Sequence, residues 1–217
     1  VLKEEFVNSG QSATPPNNPS YDSENLTFIS WNNSYSNITR DTDIGATYDT
    51  GNGVFTIAFI TLTPITGLNV TLYLNKSDNS PLIVIWDGTN YNTYTNVGNF
   101  NTGAHTYPAY GDYQILIRID GGPGTYSFGN GSTSTTFCGG STQSLRNQLT
   151  KVYIGSANVT NINAYAFYNN QSVTMVSIPN NVTTIGNYAF AYMYSLYNII
   201  IPSSTTSIGN SCFYGGY

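Results

Sequence analysis

The chain contains one histidine, His105, so catalysis that needs an imidazole base would have to be built around that residue. A serine or cysteine nucleophile beside His105 would give acyl-transfer chemistry. The sequence has no Gly-x-Ser-x-Gly turn of the kind that presents a nucleophilic serine. His105 belongs instead to the segment His105–Tyr107, which leads into a strand-like run. We therefore expect a structural histidine and predict that the protein is not an enzyme.

Carboxylates are the second group that could do chemistry, and six aspartates are candidates: Asp41, Asp43, Asp49, Asp87, Asp112 and Asp120. Two carboxylates across a cleft could hydrolyse a glycosidic bond. Several of these aspartates adjoin glycine, so turn formation is the simpler interpretation. Calcium is a further alternative because the ion prefers hard oxygen ligands, and Asp41 with Asp43 is the best local candidate. We predict no other metal or cofactor.

Tyrosine, with 19 copies, is the residue type that most favours a binding function. Its ring is rigid and apolar and its hydroxyl is polar, which suits stacking on sugars or docking on a protein, with Asn and Ser as hydrogen-bonding neighbours. The alternative is that the rings only cover the flanks of a chain that avoids charge. The predicted contact residues are Tyr165, Tyr168, Tyr188, Tyr192, Tyr194, Tyr197 and Tyr214.

Nine Asn-x-Ser/Thr sequences are compatible with N-linked glycosylation. They begin at Asn25, Asn32, Asn37, Asn69, Asn75, Asn130, Asn158, Asn170 and Asn181. A chain so rich in Asn and Thr contains many such sequences by chance, and two of them, Asn158 and Asn181, occupy one position of a repeat. Glycosylation is therefore an expectation that structure alone could also explain.

The two cysteines, Cys138 and Cys212, allow one intrachain disulfide and exclude a four-thiolate zinc site. Cys212 stands where neighbouring repeats have Ala. A buried thiol therefore explains this residue as well as a disulfide does.

The composition indicates an all-β, extracellular protein. Charged residues make up 8% of the chain, and Asn, Ser, Thr, Gly and Tyr, which suit strands and turns, take their place. The six Lys and Arg are scattered, which argues against nucleic-acid binding. No apolar run approaches the roughly 18 residues of a membrane span.

Four regions follow from the distribution of residues. Residues 1–25 are rich in Pro, Ser and Asn and predict a flexible arm or linker. Residues 26–129 contain short β-rich runs separated by turns, which predicts an antiparallel sandwich. Residues 130–148 are a connector, and residues 149–217 are repeats.

Part of the sandwich region resembles the polycystic kidney disease (PKD) domain, an immunoglobulin-like sandwich. Three segments carry the resemblance over residues 50–129: Val84–Thr89, His105–Tyr107 and Gly111–Ile115. One glycine of the family's Trp-Gly-Asp-Gly turn is absent, because Trp86 runs directly into Asp87. The resemblance implies an immunoglobulin-like fold that serves as a spacer.

The last third contains three units that can be laid on one another. Two columns repeat at 23-residue intervals, an isoleucine column and a phenylalanine column: Ile162, Ile185 and Ile208; Phe167, Phe190 and Phe213. A fixed period of this length is typical of a solenoid, in which one coil alone cannot bury its apolar residues.

These units resemble the BspA-type leucine-rich repeat, with the pattern Leu-x-x-Ile-x-Ile-Pro-x-x-Val-Thr-x-Ile-Gly-x-x-Ala-Phe. The unit from Val173 to Phe190 follows the pattern almost throughout. The first unit has Gly155 for Pro and Asn163 for Gly, and the third has Thr205 for Val and Cys212 for Ala. The resemblance implies a surface-displayed module of adhesins and of virion or surface fibres.

The last unit stops just after its phenylalanine, with no closing element in the sequence. We expect this end to be uncapped, with further repeats in a longer parent chain; a covering subunit and a cut chain are the alternatives.

The combined expectation is a non-catalytic adhesion or receptor-binding protein at a cell or virion surface. Its partner would be a host-cell protein or glycan. One alternative is a structural subunit of a filament or virion fibre that assembles head to tail, with the arm on the open end of the next copy. The other is a secreted glycan-active enzyme.

Overall fold

The computed structural model describes residues 27–31, 46–49, 56–62, 69–87, 90–155 and 158–216. This part of the chain is nearly all strand, with one short helix, α1 (Gln143–Arg146), so the all-β expectation is confirmed. The predicted arm lies outside the described residues. In chain order the strands are β1 (Thr27–Trp31), β2 (Ala46–Asp49), β3 (Thr56–Leu62), β4 (Asn69–Val70), β5 (Tyr73–Lys76), β6 (Leu82–Ile85), β7 (Tyr91–Tyr94), β8 (Gly98–Asn101), β9 (His105–Thr106), β10 (Gly111–Ile119), β11 (Tyr126–Phe128), β12 (Leu149–Ile154), β13 (Asn161–Ile162), β14 (Met175–Ser177), β15 (Thr184–Ile185), β16 (Asn198–Ile200) and β17 (Ser207–Ile208).

The largest sheet has seven strands in the order β16-β14-β12-β3-β10-β6-β7. Its N-terminal half is antiparallel, with β10 between β3 and β6. Because side chains alternate along a strand, Ile115, Ile117 and Ile119 of β10 all enter one core cluster. Leu116 and Arg118, on the opposite face, are buried as well, so this end of β10 is covered on both faces.

A three-stranded sheet, β11-β5-β8, contributes to the same core. The hydroxyl of Tyr126 on β11 lies 2.7 Å from Oγ1 of Thr56 on β3 and 3.2 Å from the carbonyl oxygen of Ile117 on β10. Two sheets around one core meet the basic requirement of a sandwich. The immunoglobulin-like and PKD-like assignments stay predictions.

The repeats form two ladders of parallel strands, β12-β14-β16 and β13-β15-β17. The isoleucine column lies in register in the second ladder, with Ile162 opposite Ile185 and Ile185 opposite Ile208. Phe167 stacks on Phe190, and Phe190 on Phe213, at ring-centroid distances of 5.5 and 5.6 Å. The 23-residue interval therefore corresponds to one coil of the chain.

Burial along the two columns shows that each coil covers the one before it. Ile162 and Ile185 are at most 1% exposed, whereas Ile208 in the last described coil is 49% exposed. Phe167 and Phe190 are at most 1% exposed, and Phe213 is 37% exposed. The last coil therefore leaves apolar surface uncovered within the described residues.

The other end of the stack is covered by the N-terminal part of the chain. Strand β12 pairs antiparallel with β3, so one sheet runs without interruption from the sandwich region into the repeats. Phe128 and Phe137 lie 5.3 and 5.7 Å from Phe167, ring centroid to ring centroid. The first coil thus has a neighbour on both sides.

Phe137 is a member of the phenylalanine column that the 23-residue pattern misses. Its N–H donates to the carbonyl of Ala166 at 2.7 Å, just as the N–H of Phe167 donates to that of Ala189 at 2.8 Å. Phe137 precedes Phe167 by 30 residues rather than 23, because α1 lies in the intervening loop. The available signal was the small residue before the ring, Thr136, which corresponds to Ala166.

We expect Phe167→Ala to lower the free energy of unfolding by about 3–5 kcal/mol, because the ring is fully enclosed and its loss leaves a cavity. Phe213→Ala is the matched control in the exposed coil and should cost about 1–2 kcal/mol. Urea denaturation followed by circular dichroism measures both values. Equal losses would contradict burial by successive coils.

Candidate functional site

Each coil turns at two positions with left-handed backbone conformation, following the short strands β13, β15 and β17. The first position holds Tyr165 (φ 57°), Tyr188 (φ 54°) and Ser211 (φ 52°). The second holds Asn169 (φ 58°), Tyr192 (φ 57°) and Gly215 (φ 74°). The same corner is therefore built with a tyrosine in some coils and with a small or polar residue in others.

Tyrosine is a poor residue for this conformation. A side chain with a Cβ in the left-handed region costs roughly 1–2 kcal/mol, which glycine avoids and asparagine partly relieves. Gly215 and Asn169 show that the coil can be closed without tyrosine. Strained backbone of this kind is found preferentially at functional sites. The rings of Tyr165, Tyr188 and Tyr192 are therefore candidate functional groups.

Hydrogen bonds between coils hold these strained residues in place. The N–H of Tyr165 donates to the carbonyl of Asn187 at 2.9 Å, and the N–H of Tyr188 donates to that of Asn210 at 3.0 Å. The N–H of Tyr192 donates to the carbonyl of Tyr214 at 2.8 Å. Each ring is thus positioned by the coil that follows it.

Six of the seven predicted tyrosines form one contiguous group through ring contacts, and we call this group the tyrosine cluster. Tyr165 and Tyr188 are parallel, with an interplanar angle of 2° and centroids 5.3 Å apart. The other contacts are edge-on, with centroids 5.3–6.2 Å apart. The members are Tyr165, Tyr168, Tyr188, Tyr192, Tyr194 and Tyr214.

Tyr197 is the seventh predicted contact residue. It is 58% exposed and lines a depression at the open end of the stack, together with Met193, Leu196 and Phe213. The sequence pattern did not distinguish its position from that of the other six tyrosines.

The segment of the chain that carries the tyrosine cluster has no charged side chain. Residues 152–217 contain no Asp, Glu, Lys, Arg or His. Partial desolvation, together with the neighbouring phenols of Tyr214 and Tyr168, raises the pKa of Tyr192, so its hydroxyl stays protonated at neutral pH. The cluster therefore offers rings and neutral hydroxyls, with amides such as Asn187 and Asn210 alongside.

The guanidinium of Arg146 packs on the ring of Tyr168, a member of the cluster. Sequence analysis did not recognise this residue. Its guanidinium carbon lies 5.9 Å from the centroid of the Tyr168 ring. Nε donates to the carbonyl of Gly140 at 2.5 Å, and Nη2 donates to the carbonyl of Thr133. Burial lowers the pKa of Arg146, which is only 5% exposed, and the charge of the Tyr168 phenol opposes the shift. Both hydrogen bonds lie within the connector, and the ring contact joins Arg146 to Tyr168.

A pair of amides joins α1 to a corner of the first coil. Nε2 of Gln143 donates to the carbonyl of Asn169 at 2.8 Å, and Nδ2 of Asn169 donates to Oε1 of Gln143 at 2.5 Å. Asn169 occupies the left-handed position that Tyr192 holds in the next coil. Sequence reasoning missed this pair because Gln143 lies outside the three units that the 23-residue pattern defines.

His105 lies in an aromatic group with Trp86 and Tyr107. Its ring is parallel to that of Trp86, with centroids 4.5 Å apart, and meets Tyr107 edge-on at 4.6 Å. Burial lowers the pKa of His105, and the charge of Asp87 opposes the shift. These contacts make His105 a packed residue of the N-terminal part.

Two of the candidate carboxylates, Asp87 and Asp112, have structural contacts. Oδ1 of Asp87 accepts the N–H of Asn90 at 2.9 Å, and Oδ1 of Asp112 accepts the hydroxyl of Thr61 at 2.8 Å. No group of three metal-ligating side chains occurs in the described part of the chain. The calcium candidates Asp41 and Asp43 lie outside it.

The glycosylation candidates differ in how their side chains are used. Asn69 is exposed, and its Oδ1 accepts the hydroxyl of Thr106 at 2.7 Å. Asn170 is fully buried, and its Nδ2, the atom that would carry a glycan, donates to the carbonyl of Tyr168 at 3.2 Å. Asn75, Asn158 and Asn181 also donate through Nδ2. The geometry favours Asn69; Asn130 is half-buried, and Asn25, Asn32 and Asn37 lie outside the described residues.

Both cysteines are free and buried. Burial raises the pKa of Cys138 to about 12 and that of Cys212 to about 11, so both thiols stay protonated at neutral pH. Cys212 packs where Ala189 stands one coil earlier, which agrees with its interpretation as a small apolar side chain.

Comparison with known proteins identifies the repeats. Residues 133–216 match the family described as "BspA type Leucine rich repeat region (6 copies)". This part of the chain is therefore a BspA-type leucine-rich repeat region, and it includes Phe137, upstream of the start at Leu149 that the sequence pattern gave. No curated protein matches the chain.

One solved structure is similar to part of the chain. It is a leucine-rich repeat protein from Bacteroides ovatus ATCC 8483, 31% identical, with a TM-score of 0.31. The similarity covers 32% of this chain and 18% of that protein, so the chain spans less than a fifth of its length. Among the described residues, no helix has the length and apolar character needed to cross a bilayer.

We expect Tyr188→Asn to change the free energy of unfolding by less than about 1 kcal/mol, because relief of backbone strain offsets the lost ring contact. Phe190→Ala in the same coil is the comparison and should cost about 3–5 kcal/mol. Urea denaturation measures both. A loss for Tyr188→Asn as large as that for Phe190→Ala would make the tyrosine a structural residue.

We also expect the stability of the protein to fall as the pH drops below about 6.5, the ordinary pKa of histidine. Because folding lowers the pKa of His105, the unfolded state binds a proton more readily than the folded state, and its protonation favours unfolding. The His105→Gln variant should lose this part of the pH dependence. Urea denaturation at a series of pH values tests this, and identical slopes for both proteins would contradict it.

Proposed function

We propose that the protein is a non-catalytic, surface-displayed adhesion or receptor-binding protein whose contact surface is the tyrosine cluster of the repeats. The observation that carries this proposal is the left-handed conformation of Tyr165, Tyr188 and Tyr192. Other coils close with Ser211 at the position of Tyr165 and Tyr188, and with Asn169 or Gly215 at the position of Tyr192, so stability alone does not account for bulky rings there.

The type of repeat supports this proposal. Leucine-rich repeats generally mediate protein interaction, and the BspA type is typical of surface or secreted proteins. Because several rungs of one coil stack lie side by side, the rings Tyr165, Tyr188 and Tyr192 form one extended surface rather than a closed pocket. Rigid aromatic rings with adjacent amides are the residues that binding surfaces use most.

The N-terminal part is proposed to act as a spacer of PKD-like sandwich type. Pairing of β3 with β12 supports this role, because it joins the two parts through backbone hydrogen bonds rather than through a loop alone. The contact surface would then be held in a fixed orientation relative to whatever carries the N-terminal part.

Assembly into a filament is the second candidate, favoured by the exposed Ile208 and Phe213 of the last coil. In the described residues the opposite end of the stack is occupied by β3 and Phe128. The last coil of one copy therefore cannot stack directly on the first coil of the next copy, because that surface is already covered. A head-to-tail fibre would have to use the arm, residues 1–25.

The proposal is tested by replacing three tyrosines of the cluster with a residue that tolerates the same backbone. The variant Tyr165→Asn/Tyr188→Asn/Tyr192→Asn should lose at least about tenfold in affinity for cultured epithelial cells, which corresponds to about 1.4 kcal/mol. Flow cytometry of fluorescently labelled protein measures the binding.

The matched control is Tyr91→Asn/Tyr110→Asn, which removes exposed rings, 60% and 52% accessible, from the N-terminal part. It should bind as the parent protein does. Equal binding by all three proteins, or no binding by the parent, would contradict the proposal. Thermal unfolding establishes that each variant is folded.

A further inference from the structure

We propose that the tyrosine cluster binds a neutral glycan, with one sugar ring stacked on the outer face of Tyr188 above Ser211. The inference rests on the proposed function and names the class of ligand and the position where it is held. Four observations carry it: an interrupted ring column, a backbone path that continues beneath the gap, amide groups around it, and the absence of charge in residues 152–217.

At the first left-handed position, two coils carry a tyrosine ring and the third does not. Tyr165 and Tyr188 stack in parallel at 5.3 Å, but the third coil carries Ser211 at this position. Ser211 has almost the same φ as Tyr188, 52° against 54°, so the backbone continues while the ring does not. The place that a third ring would fill is therefore left to the small, exposed side chain of serine.

A pyranose ring is close in size to a phenol ring and has one face made of C–H groups. Apolar faces of this kind pack on aromatic rings, and the buried apolar area stabilises the contact. A sugar ring over Ser211 would stack on Tyr188 in the same way as Tyr188 stacks on Tyr165. The spacing of the two existing rings gives the space that it would occupy.

Polar groups beside the gap are suited to sugar hydroxyls. Oδ1 of Asn187 accepts the backbone N–H of Asn210 at 2.7 Å, which fixes the amide of Asn187 and leaves Nδ2 as its donor group. Asn210 and Ser211 are exposed and add an amide and a hydroxyl. Sugar hydroxyls both donate and accept hydrogen bonds, so neutral amides and hydroxyls match them.

The lack of charge decides between classes of glycan. A sialylated or sulfated chain would leave its anionic groups without a counter-charge, because residues 152–217 contain no cationic side chain. The one nearby guanidinium, that of Arg146, is buried under Tyr168. Binding should therefore favour uncharged glycans and should not depend on salt, since screening acts only between charges.

The test places a ring at the proposed sugar position instead of removing the tyrosines. Ser211→Tyr adds the third ring, in a backbone conformation that tyrosine already adopts twice in this column. The probes are immobilised oligosaccharides of glucose, galactose, mannose or N-acetylhexosamine, and sialylated counterparts. We expect the parent protein to bind neutral probes and Ser211→Tyr to lose at least about tenfold in affinity, or about 1.4 kcal/mol.

The control is Ser203→Tyr, which adds the same ring to an exposed position of the same coil outside the proposed site. It should bind as the parent does, at low and at high concentrations of sodium chloride alike. Thermal unfolding of Ser211→Tyr shows whether the variant is folded. If it is not, Ser211→Phe and competition by free methyl glycosides against parent protein take its place, and absence of competition would overturn the proposal.

The remaining outcomes separate this inference from the proposed function. Unchanged glycan binding by Ser211→Tyr, no binding of neutral probes by the parent, or preference for sialylated probes would each overturn the inference. If the triple Asn variant nevertheless loses cell binding, the tyrosine cluster is a contact surface for a protein, and the proposed function stands without the sugar. If neither assay responds to its variants, both are wrong.

Discussion

The structure depends on one constraint: a coil of the repeat region cannot bury its own isoleucine and phenylalanine and needs a neighbour on each side. Inside the stack these side chains are almost wholly enclosed, whereas Ile208 and Phe213 of the last described coil are 49% and 37% exposed. The first coil obtains its neighbour from the N-terminal part, through the pairing of β3 with β12 and through Phe128 and Phe137. The two parts therefore share one continuous sheet and one core.

This constraint also explains how strained tyrosines can be accommodated at the corners of the coils. The interior columns and the hydrogen bonds between coils fix the backbone, so the identity of the corner residue has little influence on the path of the chain. Tyr, Asn, Ser and Gly all occupy equivalent corners with similar φ. The corner residues can therefore change during evolution without a change of fold.

The sequence predicted the regular features of the molecule and missed those that depend on distant segments. A 23-residue interval was sufficient to place the strands β14–β17 and the two buried columns. The pairing of β3 with β12 has no local signal, because it joins segments about 90 residues apart through an antiparallel register that no repeat encodes. Phe137 was hidden by the longer interval around α1. The left-handed corners at Tyr165, Tyr188 and Tyr192 had no sequence signal, because glycine and asparagine are the usual signs of that conformation and occur only at Asn169 and Gly215.

The seam between β3 and β12 has a consequence for how such a protein can change in length over evolution. Because β12 is bonded to β3 on one side, duplication of a whole unit can be absorbed only farther along the stack, where it leaves the seam untouched. An insertion of any other length would have to loop out of the coil, as the longer interval between Phe137 and Phe167 does around α1. Adding complete units would extend the tyrosine cluster by one coil at a time. The number of equivalent contacts with a repetitive partner would then increase, while each contact stayed the same.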